Sequence, residues 1–402
     1  MDIGTQRAID RWFGVPLCAL FSLLARLRPR RAPGPPRAIL VILLSEMGSM
    51  ICAQPMLRRL RERHPDARLY ALVFRKNRGV VDLLGLVPPE QVVCVDDRSL
   101  VALARSALAA IWTLRRAGIG ATLDCELFSR VSAIFGFLIG APVLVGFHRH
   151  TQEGLYRGSF IDRRVLYNPY AHISTQLLGL AAALDSSSSP LGKEAPLPER
   201  PALLPVDLSG AELAAMKARL AADYPALRGK RLVLVYPGSG LLPIRGWPLD
   251  HYDRLAAALA DEGYAIAVIG LASDRALGQR IVARVGADRC ANLTGYTADL
   301  RELLALLHPG ALLVSNDGGP GHFASLTPVP ILSFFGPETP LLYGPLSPRA
   351  VNLFRRLPCA PCLSAYNHRS TPCDGDNQCL KQIGVDEALA VARRLLASEA
   401  AA

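Results

Sequence analysis

Short, largely apolar runs recur along the chain, each closed by turn residues. Ile39–Leu44, Arg68–Phe74, Gln91–Val95, Ile119–Asp124 and Val143–Phe147 are of this kind. Strands buried on both faces of a parallel sheet read this way, because neither direction of side chain meets water. Between the first two, Met50–His64 has helical spacing, stops before Pro65 and puts Arg58, Arg59, Arg61 and Arg63 on its exposed side. Leu100–Arg116 and Leu127–Gly140 are further helical stretches. Strand alternating with helix predicts a doubly wound α/β sheet.

The pattern breaks at Asp185–Leu208 (DSSSSPLGKEAPLPERPALLPVDL), a Ser- and Pro-rich stretch that reads as a domain boundary. Beyond it the alternation restarts. Leu232–Tyr236, Ala265–Ile269, Ala311–Ser315 and Pro330–Phe335 read as strands, and Asp250–Glu262, Asp274–Val285 and Leu300–Leu307 as helices. The expected organisation is an N-terminal helix and linker (1–37), a first domain (38–184), a linker (185–208) and a second domain (209–402). Two Rossmann-like domains facing across a cleft is the simplest architecture, with ligands at the C-terminal ends of the strands.

Ahead of the first strand, Trp12–Ala25 (WFGVPLCALFSLLA) is uncharged and is followed by Arg26, Arg28, Arg30 and Arg31. It falls short of the roughly 20 residues that span a bilayer. Arginines after the apolar run, and no small-residue cleavage site, argue against a signal peptide. Two readings remain: an interfacial helix with its arginines on anionic headgroups, or a helix docked on the protein's own surface. In both, the chain after residue 37 is expected in the cytoplasm. A net charge of +11 and a pI near 9.4 favour an anionic partner. Aromatics make up only 6% and no basic run interleaves with them, which argues against nucleic acid.

The stretch SNDGGPGHFAS (315–325) lies between a strand end and a helix start. Pro320 suits the first helical position, and Gly318, Gly319 and Gly321 let backbone N–H groups approach a ligand. With the helix end these make an anion site, most simply for a diphosphate, to which His322 could donate. A structural tight turn with a core histidine is the other reading. A second strand runs into Tyr236-Pro237-Gly238-Ser239-Gly240, and Ile244-Arg245-Gly246-Trp247-Pro248 follows. The guanidinium fork of Arg245 matches phosphate oxygens, unless it is a solvated loop charge, and Trp247 is expected in the core.

PGSG…RGWP, GLASDRA (270–276), NLTGYTADLRELLALL (292–307), SNDGGPGHFAS and FFGPETPLLYGPL (334–346) together resemble glycosyltransferase family 9, the ADP-heptose:lipopolysaccharide heptosyltransferases. LVILLSEMGSMICAQPMLRRLRERHP, GAPVLVGF and His172 in AHISTQLLGL extend the likeness, which covers about residues 38–395. The resemblance implies a GT-B fold, with the donor nucleotide-sugar on the second domain and the acceptor on the first, and an inverting transfer that needs no metal. It implies that Asp317, Gly318, Gly319 and His322 hold the donor diphosphate and sugar, that Arg245 stands where the family has lysine, and that Asp274 lies in the nucleoside-binding segment. The expected protein is a cytoplasmic enzyme, peripheral on the inner membrane, that moves a heptose or related sugar onto an anionic glycolipid. A GT-B sugar-nucleotide epimerase and a silent donor-binding subunit are the alternatives.

One departure stands out. The family's first loop reads Gly-Asp, with the aspartate as general base, whereas this chain reads Gly48-Ser49. A serine hydroxyl accepts no proton near neutral pH. Glu46 is the nearest carboxylate and the expected base, unless it is a solvated loop acid, with Asp124 or Glu126 next in line.

Of the nine cysteines, Cys18, Cys52, Cys94, Cys125 and Cys290 read as core residues. Cys359 and Cys362 form a C-x-x-C, and Cys373 and Cys379 follow after ten and five intervening residues. A structural Zn²⁺ site is the expectation here, with free thiols or redox pairing as the alternatives.

Overall fold

The first apolar run forms β1 (Ala38–Ile42), which is buried at every position. β2 (Arg68–Phe74), β3 (Val92–Val95), β4 (Ala121–Asp124), β5 (Val143–His148) and β6 (Arg163–Leu166) complete a six-stranded sheet. Its order is β3-β2-β1-β4-β5-β6, and every pairing is parallel. The computed structural model describes residues 8, 10–27, 34–44, 46–127, 129–148, 156–240, 242–367 and 369–400. It divides into two units, Met1–Pro201 and Ala202–Ala402.

Two helices stand where one was expected over 50–64. α2 (Met47–Cys52) and α3 (Gln54–Arg63) meet at Ala53, because Pro55 near the start of α3 has no N–H to continue the preceding turn. α4 (Arg78–Leu84) and α5 (Leu100–Arg116) follow. α6 (Arg130–Ile139) is shorter than expected: Ser129 caps it by accepting the Ser132 N–H, and Gly140 ends it at φ 78°. α7 (Ile173–Asp185) is capped by His172, whose Nδ1 accepts the Ser174 N–H at 3.2 Å.

Helix α1 (Gly14–Arg26) docks on this unit. Cys18 is fully buried, Phe21 stacks on Phe137 with ring centroids 4.6 Å apart, and Asp10 pairs with Arg130 at 2.8 Å. Register shows which face of the sheet it joins. Leu40 aligns with Thr122 and Thr122 with Leu144, so Leu40 and Leu144 point the same way. Leu40 packs with α5 and α6, and Leu144 with α6 and α1. Helices α5, α6 and α1 therefore form one layer on one face.

The second unit repeats the plan. α8 (Gly210–Asp223), α9 (Leu249–Asp261), α10 (Arg275–Val285) and α11 (Leu300–Leu307) lie among β7 (Leu232–Tyr236), β8 (Ala265–Gly270), β9 (Cys290–Thr294) and β10 (Leu312–Asn316). α12 (Gly319–Ala324), β11 (Ile331–Phe335), α13 (Pro340–Tyr343), β12 (Ala350–Phe354), α14 (Gln378–Lys381) and α15 (Val385–Ala400) complete it. The strand order is β12-β11-β10-β7-β8-β9. Trp247 is a core residue, as expected: it stacks on Phe334 at 4.0 Å and its indole N–H donates to the Ile383 carbonyl at 2.9 Å.

These strand orders set where crevices open at the sheet ends. The first sheet reverses direction between β1 and β4, and the second between β7 and β10. Loops leaving such neighbours diverge and open a crevice at their carboxyl ends.

Candidate active site

In the second unit the loops after β7 and β10 are tied together by Asn316. Its Nδ2 donates to the carbonyls of Pro237 (3.0 Å) and Gly238 (2.9 Å). Its Oδ1 accepts the Trp247 N–H at 2.8 Å and the Tyr252 hydroxyl at 2.9 Å. Nothing in the local sequence marks this role, because the partners of Asn316 lie 64 to 79 residues away along the chain. Ser239 sits half-buried on the same loop.

The glycines of the two motifs divide by what surrounds them. A Cβ on Gly238 would come within 2.9 Å of the Tyr236 ring, and one on Gly321 within 3.0 Å of Pro345. Packing alone explains those two. A Cβ on Gly318 or Gly319 would meet nothing nearer than 3.9 Å, and the Gly318 backbone is extended. The fold itself does not require glycine at either position. The space beside them lies next to Asp317 and to His322, both buried, the latter in the first turn of α12.

Arg245 is no solvated loop charge. It ends a short 3₁₀ turn, Pro243–Arg245, and is buried between two carboxylates. Its Nε lies 3.4 Å from Asp317 Oδ2, and its Nη2 donates to Glu338 Oε2 at 3.2 Å. Arg369 Nε approaches the same Glu338 oxygen at 3.7 Å, and its guanidinium lies over the Tyr343 ring. Glu338 is only 1% exposed; it sits in the FFGPETPLLYGPL motif, and its distance in sequence from Arg245 hides the pairing. Asp274 is half-buried at the end of β8, where its Oδ2 accepts the Leu271 N–H at 2.9 Å and closes the turn before α10.

In the first unit the corresponding loops carry Glu46 and Asp124. Glu46 is exposed at the N-cap of α2, and its carbonyl accepts the Ser49 N–H at 3.1 Å. Gly48 is buried and Ser49 half-buried in the first turn. The loop is fastened just before this point. Leu44 donates its N–H to Glu126 Oε1 at 2.7 Å and accepts from Asn77 Nδ2 at 3.0 Å.

Asp124 is fully buried, ion-paired with Arg157, and accepts from the Ser132 hydroxyl at 3.1 Å and the Glu126 N–H at 3.1 Å. Burial pushes its carboxyl above the usual carboxylate range, against the pull of Arg157. Enclosed in this way, Asp124 braces the β4 end and is closed to an acceptor. Arg157, 2% exposed, also donates to the Glu126 carbonyl at 2.9 Å and so extends the brace to that loop.

The four clustered cysteines differ from the expected arrangement. Cys359 and Cys373 are exposed, Cys362 accepts from Thr371 Oγ1 at 3.2 Å, and Cys379 is buried beside Gly336. Burial and the three neighbouring thiols together raise the Cys379 thiol. Among the described residues no three potential ligands are grouped as they would be around a metal ion. The thiol at Cys379 faces the β11 end, while Cys373 stays with Asn377 on the surface. Cys52 and Cys290 are core residues as expected, their thiols pushed up to about 12 by burial.

The model of glycosyltransferase family 9 (heptosyltransferase) matches residues 127–371, more than half of the chain. Lipopolysaccharide heptosyltransferase 2 of Salmonella typhimurium is 28% identical over 78% of this chain and 86% of its own. The structure of Escherichia coli ADP-heptose lipopolysaccharide heptosyltransferase II superposes with a TM-score of 0.71 at 22% identity, covering 90% of this chain and 99% of that one. An Escherichia coli heptosyltransferase solved with ADP gives a TM-score of 0.63 at 17% identity, covering 89% and 99%. These likenesses fix the fold as GT-B.

Proposed function

Because the chain belongs to glycosyltransferase family 9, the heptosyltransferases, we propose that it moves a heptose from an ADP-heptose-type donor onto the anionic core of a lipopolysaccharide. It is a glycosyltransferase; the sugar, nucleotide and acceptor are the proposal. The names of its relatives support this reading. The observation that carries it is the open space at Gly318 and Gly319, on a turn whose Asp317 pairs with Arg245 and which leads to the buried His322.

In this reading each of these groups has a part in the reaction. The acceptor oxygen bonds to the anomeric carbon from the side opposite the diphosphate, and the bond from that carbon to the diphosphate oxygen breaks. The hydroxyl proton passes to Glu46. Arg245 and the backbone N–H groups of the glycine turn take up the charge that develops on the departing diphosphate. No metal enters any of these steps. Incubating the protein with ADP-heptose and a heptose-deficient core acceptor should release ADP and form the inverted glycoside. Interconversion of free donor would replace this reading with an epimerase, and binding without turnover with a silent subunit.

Gly319→Val should abolish donor binding while the melting temperature stays unchanged, since the new side chain enters open space. Calorimetry showing undiminished donor affinity would remove the diphosphate from this turn.

A peripheral position on the cytoplasmic face of the inner membrane belongs to the same proposal. Among the described residues no helix is long and apolar enough to cross a membrane. α1 instead turns Leu20 and Leu24 outward, and Trp12 just ahead of it is exposed as well. Deleting residues 1–37 would also bare Phe137 and Phe160, so exposed substitutions are the cleaner test. Leu20→Glu with Leu24→Glu should release the protein from anionic vesicles without unfolding it; retention equal to that of the parent chain would acquit α1.

A structural Zn²⁺ on Cys359, Cys362, Cys373 and Cys379 requires the Cys373 loop to close on Cys379. Protein purified without chelator should then contain about one equivalent of zinc. A metal-free preparation with four titratable thiols would dispose of it.

A further inference from the structure

Helix α5 has two apolar faces, and among the described residues the core packs against one of them. Leu103, Ala107, Ala110, Ile111 and Leu114 pack toward the sheet and α6. On the opposite side Val101, Arg105, Leu108 and Trp112 recur at helical spacing in one stripe. Leu108 is 70% exposed and Trp112 57%. The Arg116 guanidinium lies 3.7 Å from the Trp112 ring centroid. This stripe takes no part in the chemistry above.

It has a neighbour of the same character. α1 and α5 flank α6 in a single layer on one face of the first sheet, and the outward side of α1 is also apolar, with Leu20 and Leu24 exposed and Trp12, just ahead of the helix, 72% exposed. Neither Trp12–Leu27 nor Leu100–Arg116 contains an acidic residue, whereas arginines stand in both. A face meant for water intersperses both signs of charge. Apolar and aromatic side chains edged by arginine alone suit the boundary between acyl chains and anionic headgroups.

We infer that α1 and α5 together form one membrane-docking face, with Leu20 of the first, Trp12 just ahead of it, and Leu108 and Trp112 of the second seated in that boundary. Arg105 and Arg116 meet lipid phosphates. The occupant is a bilayer and not a second copy, because a twofold pairing would set this all-positive face against itself. The inference deepens the membrane reading of α1 and rests on it for purpose: two helices fix the orientation of the unit on the surface, where one helix leaves it free to roll.

The test uses the full chain and sedimentation with vesicles of phosphatidylethanolamine and phosphatidylglycerol. Leu108→Glu with Trp112→Glu should weaken partition by at least about tenfold, with melting temperature and turnover on a soluble, de-acylated acceptor unchanged. In a Trp12→Phe background the remaining tryptophans are the exposed Trp112 and the buried Trp247, so a blue shift of the emission when those vesicles are added reports Trp112. Undiminished partition in the double variant, or an unmoved Trp112 emission, overturns the proposal. So does a double variant that loses self-association in light scattering yet still binds vesicles. A parent chain that binds vesicles but never turns over the soluble acceptor counts against the transfer reading instead.

Discussion

Glu46→Gln is expected to lower kcat by roughly 10² to 10⁴-fold with donor affinity unchanged, the usual worth of general-base assistance. Direct displacement at the anomeric carbon needs a proton acceptor beside the incoming hydroxyl, and Ser49 has none to offer. Three carboxylates stand at the strand ends of the first sheet's switch point, and the structure separates them by exposure. Asp124 is enclosed with Arg157 and Ser132. Glu126 is buried and holds the Leu44 N–H. Glu46 alone is exposed, on a loop that Glu126 and Asn77 hold in place. Ser49→Ala should matter little. Glu126→Gln keeps a carbonyl that can accept from Leu44, so it should act through position and cost far less than Glu46→Gln. Single-turnover rates with saturating donor would decide, and near-normal rates in Glu46→Gln would return the search to Glu126.

Arg245→Ala should reduce kcat/KM by about 10² to 10³-fold, the scale for removing one preorganised stabiliser of developing negative charge. It should also destabilise the unit, since Asp317 and Glu338 are buried and would lose the guanidinium between them. The two effects can be told apart. Arg245→Lys restores a charge, and the resemblance implies lysine at this position, so it should recover most of the transfer rate. It cannot reproduce a fork that meets both carboxylates, so its melting temperature should remain below that of the parent. Full activity in Arg245→Ala would show that the backbone turn alone handles the leaving group.

The strands buried on both faces are legible in the sequence because a short, continuous apolar run between turn residues fits little else. β6 is not, because as an edge strand it carries Arg163 and Arg164 and leaves half its positions open to water. β12 is an edge strand too, half-buried throughout, and neither run nor alternation announces it. The break at Ala53 hangs on one imino acid inside an otherwise helical stretch.

The glycine turn, Arg245 and the loop of Glu46 announce themselves locally, since each combines a strand end with residue types that chemistry requires. What those residues touch cannot be read in the same way. Arg245 meets Glu338 across 93 positions, and Leu44 meets Glu126 across 82. Strand order brings these pairs together, and strand order is set by how whole sheets bury their faces, not by neighbours along the chain. Local pattern therefore determined the α/β plan of two sheets and the family, and it nominated the loops proposed for the chemistry. Tertiary structure decided that Asp124 is a brace, that Glu338 holds Arg245, that the four cysteines do not converge, and that α5 turns a second apolar face to the outside. Each of these depends on which partner burial supplies, and a one-dimensional pattern does not contain that information.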